Sequence, residues 1–330
     1  MHRPAVAPRP EFVQKEFVHK ANADEVLLTG WSRTDDDTFT VSAHWPTAHS
    51  FYVTRQGHLD LMLLNETVRQ VFPLLCHAAY GVPLGHHLLW DTYAYEITPA
   101  ASLAHDLSGH VELHVKCLSS LYRGTRLSAL SLQITTVRNG IELAGARTRL
   151  TVQAPAVYQR LRNGRGAPGL IRPLPLSRPA TEIPPQLLGR DSLDDMALSP
   201  TGAPGLWQLR VDTGHSLFFD HPVDHAPGML LLEAALQAAQ SMTHPRRMAP
   251  VGMETLFKRY VELDAPCLIG ARALPDDTMG RARVGITMRQ EDVENFAATI
   301  TLAPVLTGIP GRPLTGIIPS SVLAPAQFVA

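Results

Sequence analysis

Two stretches of the chain decide its reading: HAPGMLLLEAALQ at residues 225–237 and HLDLMLLNETVRQ at residues 58–70. Aligned without a gap, they share His, Met, Leu, Leu, Glu and Gln, six of thirteen positions, at a constant offset of 167 residues. Chance gives about one identity in such a window. Upstream, Phe51 and Tyr52 fall opposite Phe218 and Phe219 at the same offset. The simplest reading is a duplicated domain, each copy close to half of the 330 residues.

Both stretches have helical spacing. Met62, Glu66 and Gln70 lie at i, i+4 and i+8, and so do Met229, Glu233 and Gln237, so each trio shares one helical face. The pattern predicts helices over about 59–79, ending before Gly81 and Pro83, and about 227–242, with Pro227 in the first turn. Strands are expected after each helix. HVELHVKCL at 110–118 alternates, and 125–137 and 141–152 flank the hairpin dipeptide Asn139-Gly140. VELDAPCLIGARAL, RARVGITMRQ and NFAATITL repeat the theme in the second half. Each half is thus an α+β unit, a long helix followed by strands and packed on an antiparallel sheet. The expected division is 1–153, a Pro/Arg-rich connector at 154–203, and 204–330.

A formal net charge of −1 gives no electrostatic case for nucleic acid or an anionic membrane. Three scattered cysteines, Cys76, Cys117 and Cys267, fit a reduced compartment better than a disulfide scaffold. MHRPAVAPRPEF has no apolar core of a signal peptide, and no apolar run is long enough to span a bilayer. A cytoplasmic protein is expected.

The connector holds a GxGxxG, Gly164 to Gly169, but flanked by arginine and proline instead of a strand and a helix, so it is taken as linker. His215, His221 and His225 crowd with Asp220 and Asp224 around Pro222 and Pro227. Those prolines disfavour convergent helical geometry, so hydrogen-bonded or catalytic histidines are expected before a metal site. Glu66, beside Asn65, Thr67 and Arg69, fits a solvated face; Glu233 does not, because Met229–Leu232 and Ala234–Leu236 leave little polar face. Burial tends to raise a carboxyl pKa, which suits a general acid or base, although both acids also fit a structural role bonding nearby backbone.

The stretch FFDHPVDHAPGMLLLEAALQAAQ resembles the loop and central helix of the hotdog fold, as in the acyl-carrier-protein dehydratases. More specifically, VHKANADEVLLTGW (18–31), WPTAHSFY (45–52), LLNETVRQ (63–70), YGVPLGHHLL (80–89), LRVDTGHSLFF (209–219), DHAPGMLLLEAALQAA (224–239) and RYVELDAPCLI (259–269) resemble the A-factor (AfsA-like) γ-butyrolactone biosynthesis family, in order and across both halves. The resemblance implies a double hotdog whose halves pair as an intramolecular pseudo-dimer. It implies an acyltransferase, without metal or cofactor, that condenses a β-ketoacyl chain from acyl carrier protein with dihydroxyacetone phosphate to make signalling-molecule precursors. The candidate catalytic residues are Glu233, His225 and Glu66. Gly228, Arg69, Gln70, Gln237 and His49 are candidate substrate contacts, Gly228 through a backbone N–H facing the thioester carbonyl. The family's ExxRQ is intact at 66–70, but its second arginine is Leu236 here, leaving Arg259 or Arg69 to substitute across the halves. The rival expectations are a hotdog dehydratase or thioesterase, and a non-catalytic acyl-binding module.

Overall fold

The computed structural model describes residues 13–52, 59–103, 107–165 and 171–305. In the first half, β1 (Leu28–Asp35) and β2 (Thr38–Trp45) precede the central helix α1 (Leu61–Leu74), which a π-helical turn at Leu75–Ala79 extends. There follow β3 (His87–Ile97), the short α2 (Pro99–Leu103), β4 (Gly109–Arg123), β5 (Arg126–Arg138) and β6 (Ile141–Gln153). After α3 (Pro155–Leu161), the second half runs β7 (Leu198–Pro200), β8 (Leu206–Leu209), the central helix α4 (Gly228–Thr243), β9 (Met248–Phe257), β10 (Leu268–Leu274), β11 (Ala282–Gln290) and β12 (Val293–Pro304).

The strands form one antiparallel sheet ordered β1-β2-β4-β5-β6-β3-β9-β12-β11-β10-β8-β7. Read inward from either end, the two halves have the same order, strand n matching strand n+6. The duplication is therefore topological as well as sequential. The halves join edge to edge where β3 pairs β9, Thr92 opposite Leu256 through Glu96 opposite Gly252. That pairing removes the open edge each half would otherwise present.

Both helices are buried around nearly their whole circumference, with Arg69 the least buried residue of α1. They pack on each other inside the wrap of the sheet. The predicted hairpin closes at Asn139 and Gly140, which take φ 50° and 76°, the positive angles its two-residue turn demands.

Two expectations need correction. Two strands precede each central helix as well as those that follow it. VELDAPCLIGARAL is a strand only from Leu268, since the chain turns at Leu263-Asp264 ahead of Pro266, which has no N–H to pair. Within residues 154–203, expected as a connector, the described part is ordered: it carries α3, a 3-10 turn at Pro185–Leu188 and β7, and buries Tyr158, Arg162 and Arg190. Of the GxGxxG, Gly166 and Gly169 lie outside the described residues, as does His58.

Candidate functional site

The repeated glutamates sit one turn before a glutamine that fixes them. On α1, Gln70 Nε2 donates to Glu66 Oε1 at 2.8 Å and to the Glu25 carbonyl at 2.8 Å, while its Oε1 accepts the Leu27 N–H. On α4, Gln237 Nε2 donates to Glu233 Oε1 at 2.6 Å and to the Asp195 carbonyl at 3.0 Å, and its Oε1 accepts the Ala197 N–H. Both glutamines, expected as substrate contacts, thus spend their amides on protein. They tie each central helix to the strand that opens its half.

Glu66 is 2% exposed and held by cations. Arg69 donates from Nε and Nη2 to its two oxygens at 2.7 Å each, and Lys20 Nζ lies at 3.2 Å. Burial alone pushes this carboxyl up, but the charges of Arg69 and Lys20 and the hydrogen bonds from Arg69 and Gln70 outweigh it and bring the pKa down to about 2. The solvated face expected for Glu66 is therefore not found, because the ion pairs allow its burial, and Arg69 is its counter-ion, not a free substrate contact.

Leu236 leaves Glu233 without the matching arginine. The replacement comes from neither Arg69 nor the exposed Arg259 but from Arg190. Arg190 donates from Nε and Nη2 to the two Glu233 oxygens at 2.6 Å each, and from Nη1 to Asp60 Oδ2 at 2.9 Å and the Phe51 carbonyl at 3.1 Å. Its guanidinium also lies 4.0 Å over the Phe51 ring. Arg190 and Lys20 hold equivalent places: each is the second residue past a 3-10 turn, after a residue in the left-handed region, His19 at φ 54° and Gly189 at φ 79°. The offset here is 170, not 167, so a three-residue insertion hides the match from an ungapped comparison.

Glu233, Arg190 and Asp60 line a cavity of about 820 Å³. Its walls come from both halves: Leu59–Met62 and Glu96 from the first, Leu236, Gln240, Thr243–Val251 and Arg281 from the second. The lining is mostly apolar, with Leu61, Met62, Leu188 and Leu236 beside the buried ionic trio.

His225 and Gly228 lie elsewhere, at the opposite end of α4 from the His244–Val251 rim. His225 Nδ1 bonds Asp224 Oδ1 at 2.7 Å. Asp224 also accepts from the Tyr158 hydroxyl at 2.9 Å and Arg162 Nε at 2.9 Å, and Arg162 is shared with Glu262 at 2.6 Å. Burial opposes ionisation of Asp224, but the His225, Arg162 and Tyr158 hydrogen bonds hold it well below the carboxylate range. Tyr158 stacks on His87 from the first half at 3.5 Å. Gly228 opens α4, Pro227 being the N-cap and offering no side-chain cap. A Cβ at Gly228 would meet the Trp90 ring at 3.2 Å and Phe257 at 3.4 Å. Gly228 therefore sits in a tight spot, where an added Cβ needs the Trp90 ring to give way.

His215, His221 and His225 each pair with a different carboxylate, Asp195, Asp220 and Asp224, instead of converging. His49 mirrors His215: its Nε2 meets Glu25 at 3.3 Å, and its Nδ1 accepts the Phe51 and Tyr52 N–H groups. Both its ring nitrogens are thus engaged by the protein. Among the described residues no helix is long and apolar enough to cross a membrane.

Duplicated topology, two central helices in one wrapping sheet and a cavity between the halves define a double hotdog protein. A structure described as an oleoyl thioesterase from Lactobacillus plantarum shares the fold, with a TM-score of 0.52 at 13% identity, covering 82% of this chain and 98% of that one. The family model described as the A-factor biosynthesis hotdog domain matches residues 1–154 and 174–305, and the chain belongs to that family. It is 42% identical over 290 residues to a Streptomyces virginiae protein named 2-oxo-3-(phosphooxy)propyl 3-oxoalkanoate synthase, covering 87% of this chain and 96% of that protein. A Streptomyces griseus protein of the same name is 35% identical over 291 residues, covering 88% and 94%.

Proposed function

We propose that the protein is an acyltransferase that joins a β-ketoacyl chain, delivered as a thioester on acyl carrier protein, to dihydroxyacetone phosphate, in the making of γ-butyrolactone-type signals. Family membership and the relatives' printed name support the reaction, and the cavity with Glu233 on its wall supports its place. In the reaction the acceptor hydroxyl attacks the thioester carbonyl, the C–S bond breaks, and the hydroxyl proton ends on the released thiol. An ester forms, no water is consumed and nothing is oxidised.

Glu233 is the residue proposed to orient and deprotonate that hydroxyl. Its Oε1 accepts from Arg190 and Gln237, whereas Oε2 accepts only from Arg190 among the described residues. One acceptor position therefore remains on a carboxylate that lines the cavity. Arg190 fixes the carboxylate rotamer and supplies positive charge close to where the oxyanion develops. The apolar wall accommodates acyl chain and excludes water, so transfer competes with hydrolysis. Glu66, which is not among the residues lining that cavity and is held by two cations, Arg69 and Lys20, is assigned a structural role.

A second reading is favoured by one observation. His225, oriented by Asp224 and partly exposed, has the arrangement of a general base at the N-terminus of α4. Mass spectrometry of the products from a β-ketoacyl carrier protein and dihydroxyacetone phosphate tests the function: a phosphorylated ester is expected, and free β-keto acid or an enoyl thioester would point to thioesterase or dehydratase chemistry instead.

A further inference from the structure

The charges around the cavity do not cancel. Four arginines line it, Arg190, Arg246, Arg247 and Arg281, against three carboxylates, Asp60, Glu96 and Glu233. Arg190 takes Asp60 and Glu233, and Arg281 Nη1 takes Glu96 at 2.6 Å while its Nε takes Asp277 at 2.5 Å. Arg246 and Arg247 are left over. Among the described residues neither forms an ion pair, although every acid on the cavity wall is already neutralised. Their backbone is anchored: the Arg246 N–H donates to the Thr243 carbonyl at 2.9 Å, and the Arg247 carbonyl accepts from Val305 at 3.1 Å. Two adjacent, exposed arginines of the cavity lining thus have an anchored backbone and, among the described residues, no carboxylate partner, while the acids of the same cavity are each paired with another arginine.

We infer that Arg246 and Arg247 form a phosphate-binding subsite at the rim of the cavity. An anionic phosphate group matches two forked guanidiniums, each able to give paired N–H bonds. The placement also sorts the substrates, with the phosphate outside at the rim and the hydrophobic part inside. The inference rests on the proposed transfer reaction for the identity of the ligand, but phosphate binding itself is measurable without turnover. Two sources share the chemistry, the phosphorylated three-carbon acceptor and the phosphodiester of the carrier's pantetheine arm.

The test compares wild type with the Arg246→Ala/Arg247→Ala double variant, which removes exposed side chains only. Inorganic phosphate is expected to raise the melting temperature of wild type in a concentration-dependent way, and the double variant is expected to lose that response. In steady state the KM for dihydroxyacetone phosphate is expected to rise at least about tenfold, with kcat nearly unchanged, if the acceptor is the source. A rise confined to the KM for the carrier thioester, and absent with a phosphate-free pantetheine thioester, would assign the subsite to the carrier arm. No phosphate response in wild type, or equal responses in the two proteins, overturns the subsite. If wild type makes no ester yet shows the phosphate response, the transfer reaction fails and the subsite stands.

Discussion

Arg190 binds Glu233 through two parallel hydrogen bonds of 2.6 Å, although 43 residues separate them. The pair rebuilds on α4 what Arg69 and Glu66 achieve three residues apart on α1. Both solutions hold a buried carboxylate in one rotamer. They differ in consequence: Leu236, where an arginine would sit, is left on the cavity wall as an apolar surface.

Removing one partner of a buried ion pair leaves the other charge stranded, so Arg190→Ala is expected to cost about 3–5 kcal/mol. Adding Leu236→Arg to that variant recreates the ExxR spacing of α1 and is expected to recover at least about 1 kcal/mol. Urea titrations of the single and double variants check both values. An additive or worse double variant would mean that Leu236 has no route to Glu233.

The Glu66 carboxyl lies at about 2 in the folded chain against an ordinary 4.5. Its ion pairs therefore add stability that is complete above about pH 4.5 and is lost as pH falls toward about 2. Wild type is expected to lose stability steeply through that window, and Glu66→Gln, already destabilised at neutral pH, to show a shallower slope. Denaturation midpoints measured from pH 5 to pH 2 test this.

Gly228→Ala sets a helix-propensity gain of about 1 kcal/mol against overpacking of about 1–3 kcal/mol. The added Cβ lies 3.2 Å from the Trp90 ring, which Phe257 stacks behind at 5.1 Å, so the ring has nowhere simple to go. A net fall in melting temperature is expected. A rise would show that Trp90 relaxes freely.

Cys76 and Cys267 are buried, and burial pushes both thiols up to about 12. They are expected to resist alkylation at pH 8 in the native protein and to react fully in denaturant. Fast labelling of either in the folded protein would contradict this packing.

The helices were legible because two 13-residue stretches repeat at one offset, and because Met, Glu and Gln fall on one face in each. The hairpin at Asn139-Gly140 was legible because few dipeptides tolerate two positive φ angles. The strands before each helix were not, since β1 carries Gly30 and a charged Arg33–Asp35 end, and β7 and β8 are only three and four residues long. Glu233 was singled out by its apolar neighbours. Its partner was invisible, because Arg190 belongs to a Pro-rich stretch whose offset is 170 and whose place in the fold matches Lys20, not Arg69. Gln70 and Gln237 looked like substrate contacts because they are polar and recur one turn after the acids, and His49 entered only through the family resemblance. The hydrogen-bonding needs of backbone at Leu27, Ala197 and Phe51, which use them up, cannot be read from spacing.

The central claim is that transfer occurs at the Glu233 cavity. The most direct measurement is single-turnover ester formation by Glu233→Gln and His225→Ala, each first shown by circular dichroism to be folded. The Glu233 variant is predicted to slow chemistry about 10²–10⁴-fold, and the His225 variant to stay within about threefold of wild type. The reverse pattern would contradict the account and move the chemistry to the Asp224–His225 pair at the other end of α4.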